Sequence, residues 1–119
     1  MTQRKIIYSE IALSKRKAIK RDIKEKYGHK SADRFSKQVS KTIARLKEFP
    51  QMGVSIRETY DLDCDYYLFF VAHNYFIYRI TDNYIMILEI FHEKEDFMYQ
   101  MFGVVTTSQD TLDFWNEDI

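Results

Sequence analysis

Cysteine is almost missing from this sequence. Cys64 stands alone in 119 residues, so no intramolecular disulfide can form and a reducing, cytoplasmic setting is expected. It sits among Asp61, Asp63 and Asp65, and negative neighbours disfavour a thiolate, which argues against a catalytic thiol. Long apolar runs are missing too. None approaches the roughly 20 residues of a membrane helix, so a soluble protein without a membrane partner is expected. The opening stretch MTQRKIIYSEIALSKRK lacks the apolar centre of a signal peptide. Repeats and low-complexity segments are absent, and the length suits one domain with a single core.

Basic residues are scarce in the second half. Residues 1–50 hold 15 Lys or Arg against 5 Asp or Glu, whereas residues 51–119 hold 3 against 13. The formal net charge of zero therefore conceals a cationic part and an anionic one. Such asymmetry suits an electropositive face that meets polyanions; solvated lysines on a pair of helices would produce it equally well.

What is present is a clear periodicity. A short strand is expected over roughly Lys5–Tyr8. Ser9 is placed to cap the helix that follows, and Glu10 suits the positive end of its dipole. Ala12, Ile19, Ile23 and Tyr27 fall near one face of that helix, and Gly28 is placed to stop it. Ser31 is expected to cap a second helix, whose Phe35, Val39, Ile43 and Leu46 form a stripe at three-to-four spacing. Pro50 ends it. The short link makes the two an antiparallel hairpin.

Beyond FPQMG the period becomes strand-like. VSIRETY, DYYLFFV, HNYFIYRI and YIMILEIFH read as four strands, and the links AH and TDN are short enough for hairpins. The last two strands are apolar on both faces, which predicts central positions. EKEDFMYQMFG suits a short closing helical turn, and the acidic tail over 103–119 carries Leu112, Phe114 and Trp115, residues that suit docking rather than free solvation. Together these elements predict an α+β fold. An N-terminal strand and an antiparallel helix hairpin pack on a mostly antiparallel β-sheet, with a short C-terminal helix or tail. One domain spans 1–119, with its core at about 4–102.

The order of these elements and several of their residues resemble the RelE/ParE superfamily of toxins from bacterial toxin–antitoxin pairs. The likeness is carried by YSEIA at the start of the first helix, LKEFPQMG at the end of the second, and YFIYRITDNYIMILEIFHEKED across the last hairpin. Tyr78, Arg79 and Ile80 match the superfamily's aromatic-Tyr-Arg-Ile strand, Asp82 and Asn83 its acidic turn, and His92, Lys94 and Asp96 its strand ending. The resemblance implies a small toxin neutralised by a cognate antitoxin protein. Some members enter the ribosomal A site and cleave mRNA with no metal or other cofactor, while others bind DNA gyrase and poison it. The expected function is accordingly a ribosome-dependent, metal-independent mRNA endoribonuclease that arrests translation. The alternatives are a ParE-type gyrase inhibitor without hydrolytic chemistry and a degenerate member that only binds antitoxin.

Cleavage of that kind needs a base for the 2′-hydroxyl, an acid for the leaving 5′-oxygen, and cations against the phosphate charge. His92, His73, Tyr99 and Lys94 are the candidates for proton transfer, and Arg79 and Arg57 for holding substrate. No metal site is expected, because the two histidines lack further ligands at suitable spacing. Arg57, Arg79 and Lys94 are sparse cationic provision for a nuclease, and Glu89 stands where relatives often carry an arginine. A two-residue turn at Asp82-Asn83 predicts the cross-strand pairs Arg79–Met86 and His73–His92. Arg79 and His92 would then share one sheet face, about 20 Å apart at roughly 3.3 Å per residue. His73, Asn74 and His92, with Lys94 and Tyr99 beyond, would gather at one end of the sheet, where two imidazoles could share acid and base duties. Arg79 pairing with Glu58 or Asp82, and Tyr99 as a core residue, are the purely structural alternatives.

Overall fold

The computed structural model describes residues 4–103; the tail expected to dock through Leu112, Phe114 and Trp115 lies outside the described residues. Strand β1 (Lys5–Tyr8) leads through Ser9 into helix α1 (Glu10–Tyr27), and α2 (His29–Glu48) follows. The Ser9 hydroxyl accepts the Ala12 N–H at 3.0 Å and donates to the Leu88 carbonyl at 2.7 Å, so the cap also ties the helix to the sheet. Gly28 alone makes the corner between the helices, at φ 94° and ψ 175°, a conformation that a Cβ would strain. The second helix therefore starts at His29, and Ser31 lies inside it rather than at its cap.

The stretch VSIRETY, read as a strand, divides in two. Val54–Ser55 pair as β2, and the Ser55 hydroxyl then accepts the Glu58 N–H to start the one-turn helix α3 (Ile56–Tyr60). A capping serine and the burial of Ile56 win over the β propensity of the segment. Strands β3 (Tyr66–Val71), β4 (Asn74–Ile80) and β5 (Tyr84–His92) and the helix α4 (Phe97–Phe102) complete the chain. The sheet order is β1-β5-β4-β3-β2, with β1 parallel to β5 and the other pairs antiparallel. This is the expected α+β architecture.

Each sheet face carries a core. Ala12, Phe35, Val39 and Leu46 of the helix hairpin pack on Phe69, Phe76, Tyr78, Ile85, Ile87 and Ile90. On the opposite face Ile56, Phe97 and Met98, from α3 and α4, pack on Leu68, Ile77 and Phe91. Strand β4 over Phe76–Tyr78 and β5 at Ile90 and Phe91 are apolar on both faces because both faces are covered there. Tyr27, assigned to the apolar side of α1, is instead 73% exposed, beside the Gly28 corner.

The predicted strand register holds for only part of the last hairpin. Arg79 faces Met86 and Tyr78 faces Ile87 as expected, but Ile77 faces Glu89, so Leu88 is bulged out of the ladder. Past that point every pairing moves by one, and His92 faces Asn74 rather than His73. The alternation moves with it. Arg79 lies on the α3–α4 face with Ile77, whereas His92 lies on the hairpin face with Asn74 and Phe76. The Leu88 carbonyl is held by the Ser9 hydroxyl and the Ile87 carbonyl by the Ser9 N–H at 2.9 Å, so the bulge sits where β1 leaves the sheet.

Tyr78 ties the FPQMG segment to the core. Its hydroxyl donates to the Pro50 carbonyl at 2.8 Å and accepts the Gly53 N–H at 3.1 Å. Burial pushes its pKa up to about 12, against a smaller opposing effect of the Gly53 bond. The neutral phenol is favoured in the fold, so its contribution is complete below pH 10 and is lost as the pH climbs to about 12. Tyr78→Phe should lower stability at neutral pH by about 1–3 kcal/mol, because two partly buried backbone groups lose their partner. Urea melts from pH 7 to 11 would check this, since the variant should also lose part of the alkaline decline; an unchanged midpoint and pH profile would refute it.

Candidate functional site

The β3–β4 corner is built from Ala72 at φ 51° and His73 at φ 65°, the left-handed pair that a two-residue hairpin requires. Asn74, almost fully buried, steadies it by donating from its amide to the Ala72 carbonyl at 2.6 Å. The His73 carbonyl accepts the Glu93 N–H at 2.9 Å, and its ring Nδ1 stands 3.1 Å from the Glu93 carboxylate. His73 thus meets Glu93, one residue beyond the partner that an unbulged ladder would assign.

At the end of β5 the chain turns tightly over His92. The Glu95 N–H donates to the His92 carbonyl at 2.9 Å, and the His92 N–H to the Glu95 carboxylate at 3.0 Å. The Lys94 N–H donates to His92 Nδ1 at 3.2 Å. Nδ1 is therefore an acceptor, and a neutral His92 carries its proton on Nε2. Such a ring can deliver that proton, but its accepting nitrogen is already in use.

His73, Asn74 and His92 line one groove of about 520 Å³ with Lys15, Asp22, Lys26 and other residues of α1. Lys15, Asp22 and Lys26 were not singled out from the sequence. Helical periodicity places them on a polar side but cannot say which part of the sheet that side borders. Lys15 pairs with Glu89 at 2.6 Å, donates to the Ile90 carbonyl at 3.2 Å and lies 4.5 Å from the Phe91 ring centroid. Glu89 thus takes its cation from α1 rather than from the sheet.

The other candidates lie elsewhere. Arg79 donates to Asp65 at 2.9 Å, not to Glu58 or Asp82, and it projects from the opposite sheet face. Arg57 donates to the Cys64 carbonyl at 2.9 Å and approaches Asp63 at 3.3 Å. Both arginines hold the 61–65 loop through exposed pairs. Tyr99 is 58% exposed on α4, so it is neither core nor part of the groove lining. Lys94 contributes its backbone N–H, and its side chain is not part of that lining. Among the described residues no three His, Cys, Asp or Glu side chains converge as a metal site, and no helix is long and apolar enough to cross a membrane.

A second groove, of about 640 Å³, runs between α2 and β3. Arg34, Gln38, Lys41 and Thr42 form one wall and Phe70, 50% exposed, the other. Among the described residues the outer edge of β3 has no strand partner here, since β2 pairs only with Tyr67 and Leu68. Of the apolar stripe that the sequence offers, Phe35, 3% exposed, forms part of the groove floor, whereas Val39 is fully buried and does not line it.

A family model described as the ParE toxin of the type II toxin–antitoxin system parDE matches residues 6–97. The solved structure titled "Chromosomal ParDE TA system from P. aeruginosa" is similar with a TM-score of 0.60 and 13% identity, over 76% of this chain and 96% of that one. At that identity the likeness concerns the fold. No curated protein matches the chain.

Proposed function

This chain belongs to the ParE toxin family of type II toxin–antitoxin systems, and on that premise we propose that it is a cytoplasmic toxin held inactive by a cognate antitoxin and acting by binding DNA gyrase, without hydrolytic chemistry. The observation that carries this reading is the dispersal of the candidate groups: Arg79 stands about 20 Å from His92 along the ladder at roughly 3.3 Å per residue, and the bulge at Leu88 puts the two on opposite faces of the sheet as well. A phosphodiester cannot take charge stabilisation from one and a proton from the other. The accepting nitrogen of His92 is occupied, and Arg57 and Arg79 are engaged in the 61–65 loop.

The ribosome-dependent mRNA endoribonuclease is the second reading. It is favoured by the groove that joins His73 and His92 to Lys15 and Lys26, where imidazoles and ammonium groups could act on a phosphate. Its partners would be the ribosome and mRNA. The antitoxin is expected to be acidic and to lie along the groove of Arg34 and Lys41, where the open edge of β3 and the exposed Phe70 offer backbone and apolar contacts.

One pair of substitutions separates the readings. His73→Ala combined with His92→Ala should leave growth arrest and the DNA-damage response of induced cells largely intact, because both rings are exposed and the gyrase reading gives them no chemistry. Arrest lost by a folded, antitoxin-binding variant, together with preserved mRNA, would transfer the assignment to cleavage.

A further inference from the structure

Half of the second sheet face has no cover among the described residues. Helices α3 and α4 pack over β3, β4 and the Phe91 end of β5. Ile7 of β1 and Met86 of β5, paired side by side, belong to neither core, and Ile7 is 38% exposed. The bulge puts Leu88 on this face beside Glu89. Ile11 of α1, 59% exposed, lies one helical turn before Lys15, whose ammonium reaches Glu89 and Phe91, so this side of α1 borders the same strip.

The chain arrives at this strip from α4. Tyr66, Arg79, Met86 and Ile7 form one continuous rung across β3, β4, β5 and β1. The ring of Phe102, the last residue of α4, packs 6.0 Å from that of Tyr66. Three strand spacings of roughly 4.8 Å, about 14 Å, separate the two ends of the rung, a span of four or five extended residues. Sixteen residues follow Gly103, and they carry Asp110, Asp113, Glu117 and Asp118 but no Lys or Arg.

We propose that residues 104–119 dock on this strip within the same chain, with Leu112, Phe114 and Trp115 over Ile7, Met86 and Leu88. The strip is bordered by Lys5, Lys15 and Arg79, and the Arg79 guanidinium, with one amino group on Asp65, retains donors for a second carboxylate. A second copy seated two-fold on the same strip would bring like cations together, whereas the tail brings the opposite sign. The inference does not depend on the toxin's target.

Trp115, the single tryptophan, reports on the docking directly. In the full chain its emission should lie to the blue of the urea-unfolded chain, with acrylamide quenching roughly threefold weaker. Ile7→Asp, Met86→Asp and Ile11→Asp, each shown to be folded by circular dichroism, should restore quenching. Phe49→Asp, at an exposed position after α2, should leave it unchanged. Three strip variants guard against one of them failing to fold. Quenching in the wild-type chain equal to that of the unfolded chain would overturn the proposal, as would protection that survives all folded strip variants. Protection that disappears on dilution would overturn it in favour of a second copy.

Discussion

Gly53→Ala should destabilise the protein by about 3 kcal/mol, which at roughly 4 °C per kcal/mol lowers Tm by about 12 °C. A Cβ at position 53 would stand 2.5 Å from the Leu68 carbonyl oxygen and 2.5 Å from the Tyr78 hydroxyl. The first belongs to the backbone of β3, opposite Val54, and the second to a fully buried ring. Neither can retreat cheaply, so the segment after Pro50 must lift. Overpacking of this kind costs about 1–3 kcal/mol, and lifting also breaks the two hydrogen bonds of the Tyr78 hydroxyl, which adds a comparable amount. Urea denaturation of Gly53→Ala, Tyr78→Phe and the double variant would test the mechanism. The double variant should be less destabilised than the sum, because phenylalanine removes one of the two clashing oxygens. A loss below about 1 kcal/mol for the single variant would mean that the segment moves without losing its bonds.

Arg34→Glu with Lys41→Glu should weaken the antitoxin complex by at least about 10²-fold, since like charges across an interface cost several kcal/mol. Both side chains are exposed in the groove between α2 and β3, and neither supports the core, so the variant should fold normally. The wild-type complex should weaken as salt rises, because an acidic partner gains from the charge of residues 1–50. The variant should lose most of that dependence. Titration calorimetry at two ionic strengths with the protein encoded beside it measures both effects. Unchanged affinity with unchanged salt dependence would place the antitoxin on another surface.

The elements that were legible in the sequence are those with local causes. Strand β5 spans Tyr84–His92, the segment its alternation marks, and α1 runs from the Ser9 cap to the Gly28 stop. Both rest on neighbours a few residues away: a hydroxyl near free N–H groups, a glycine that accepts positive φ, a side-chain period. The α+β class followed from the order of such segments, and the resemblance to the toxin superfamily from that order together with the stretches YSEIA, LKEFPQMG and YFIYRITDNYIMILEIFHEKED. Where two local signals competed, the reading failed, as at Ser55, where a cap turned an expected strand into α3.

The candidate site was legible as a set of residues but not as an arrangement. Sequence order alone places His73, Asn74 and His92 near one end of the sheet, because short hairpins leave no other choice. It cannot show that Leu88 leaves the ladder, since that depends on Ser9 bonding a carbonyl 79 residues away. Nor can it show that Glu89 finds Lys15 or that Arg79 finds Asp65, since ion pairs between distant segments form only after the strands and helices have packed. One bulged residue then decides which face each later side chain occupies. The strands, helices and their polarity are properties of the chain, and so is the distance of about 20 Å that keeps Arg79 and His92 apart; whether the two share a sheet face is a property of the packed sheet, because alternation counts residues and a bulge changes the count.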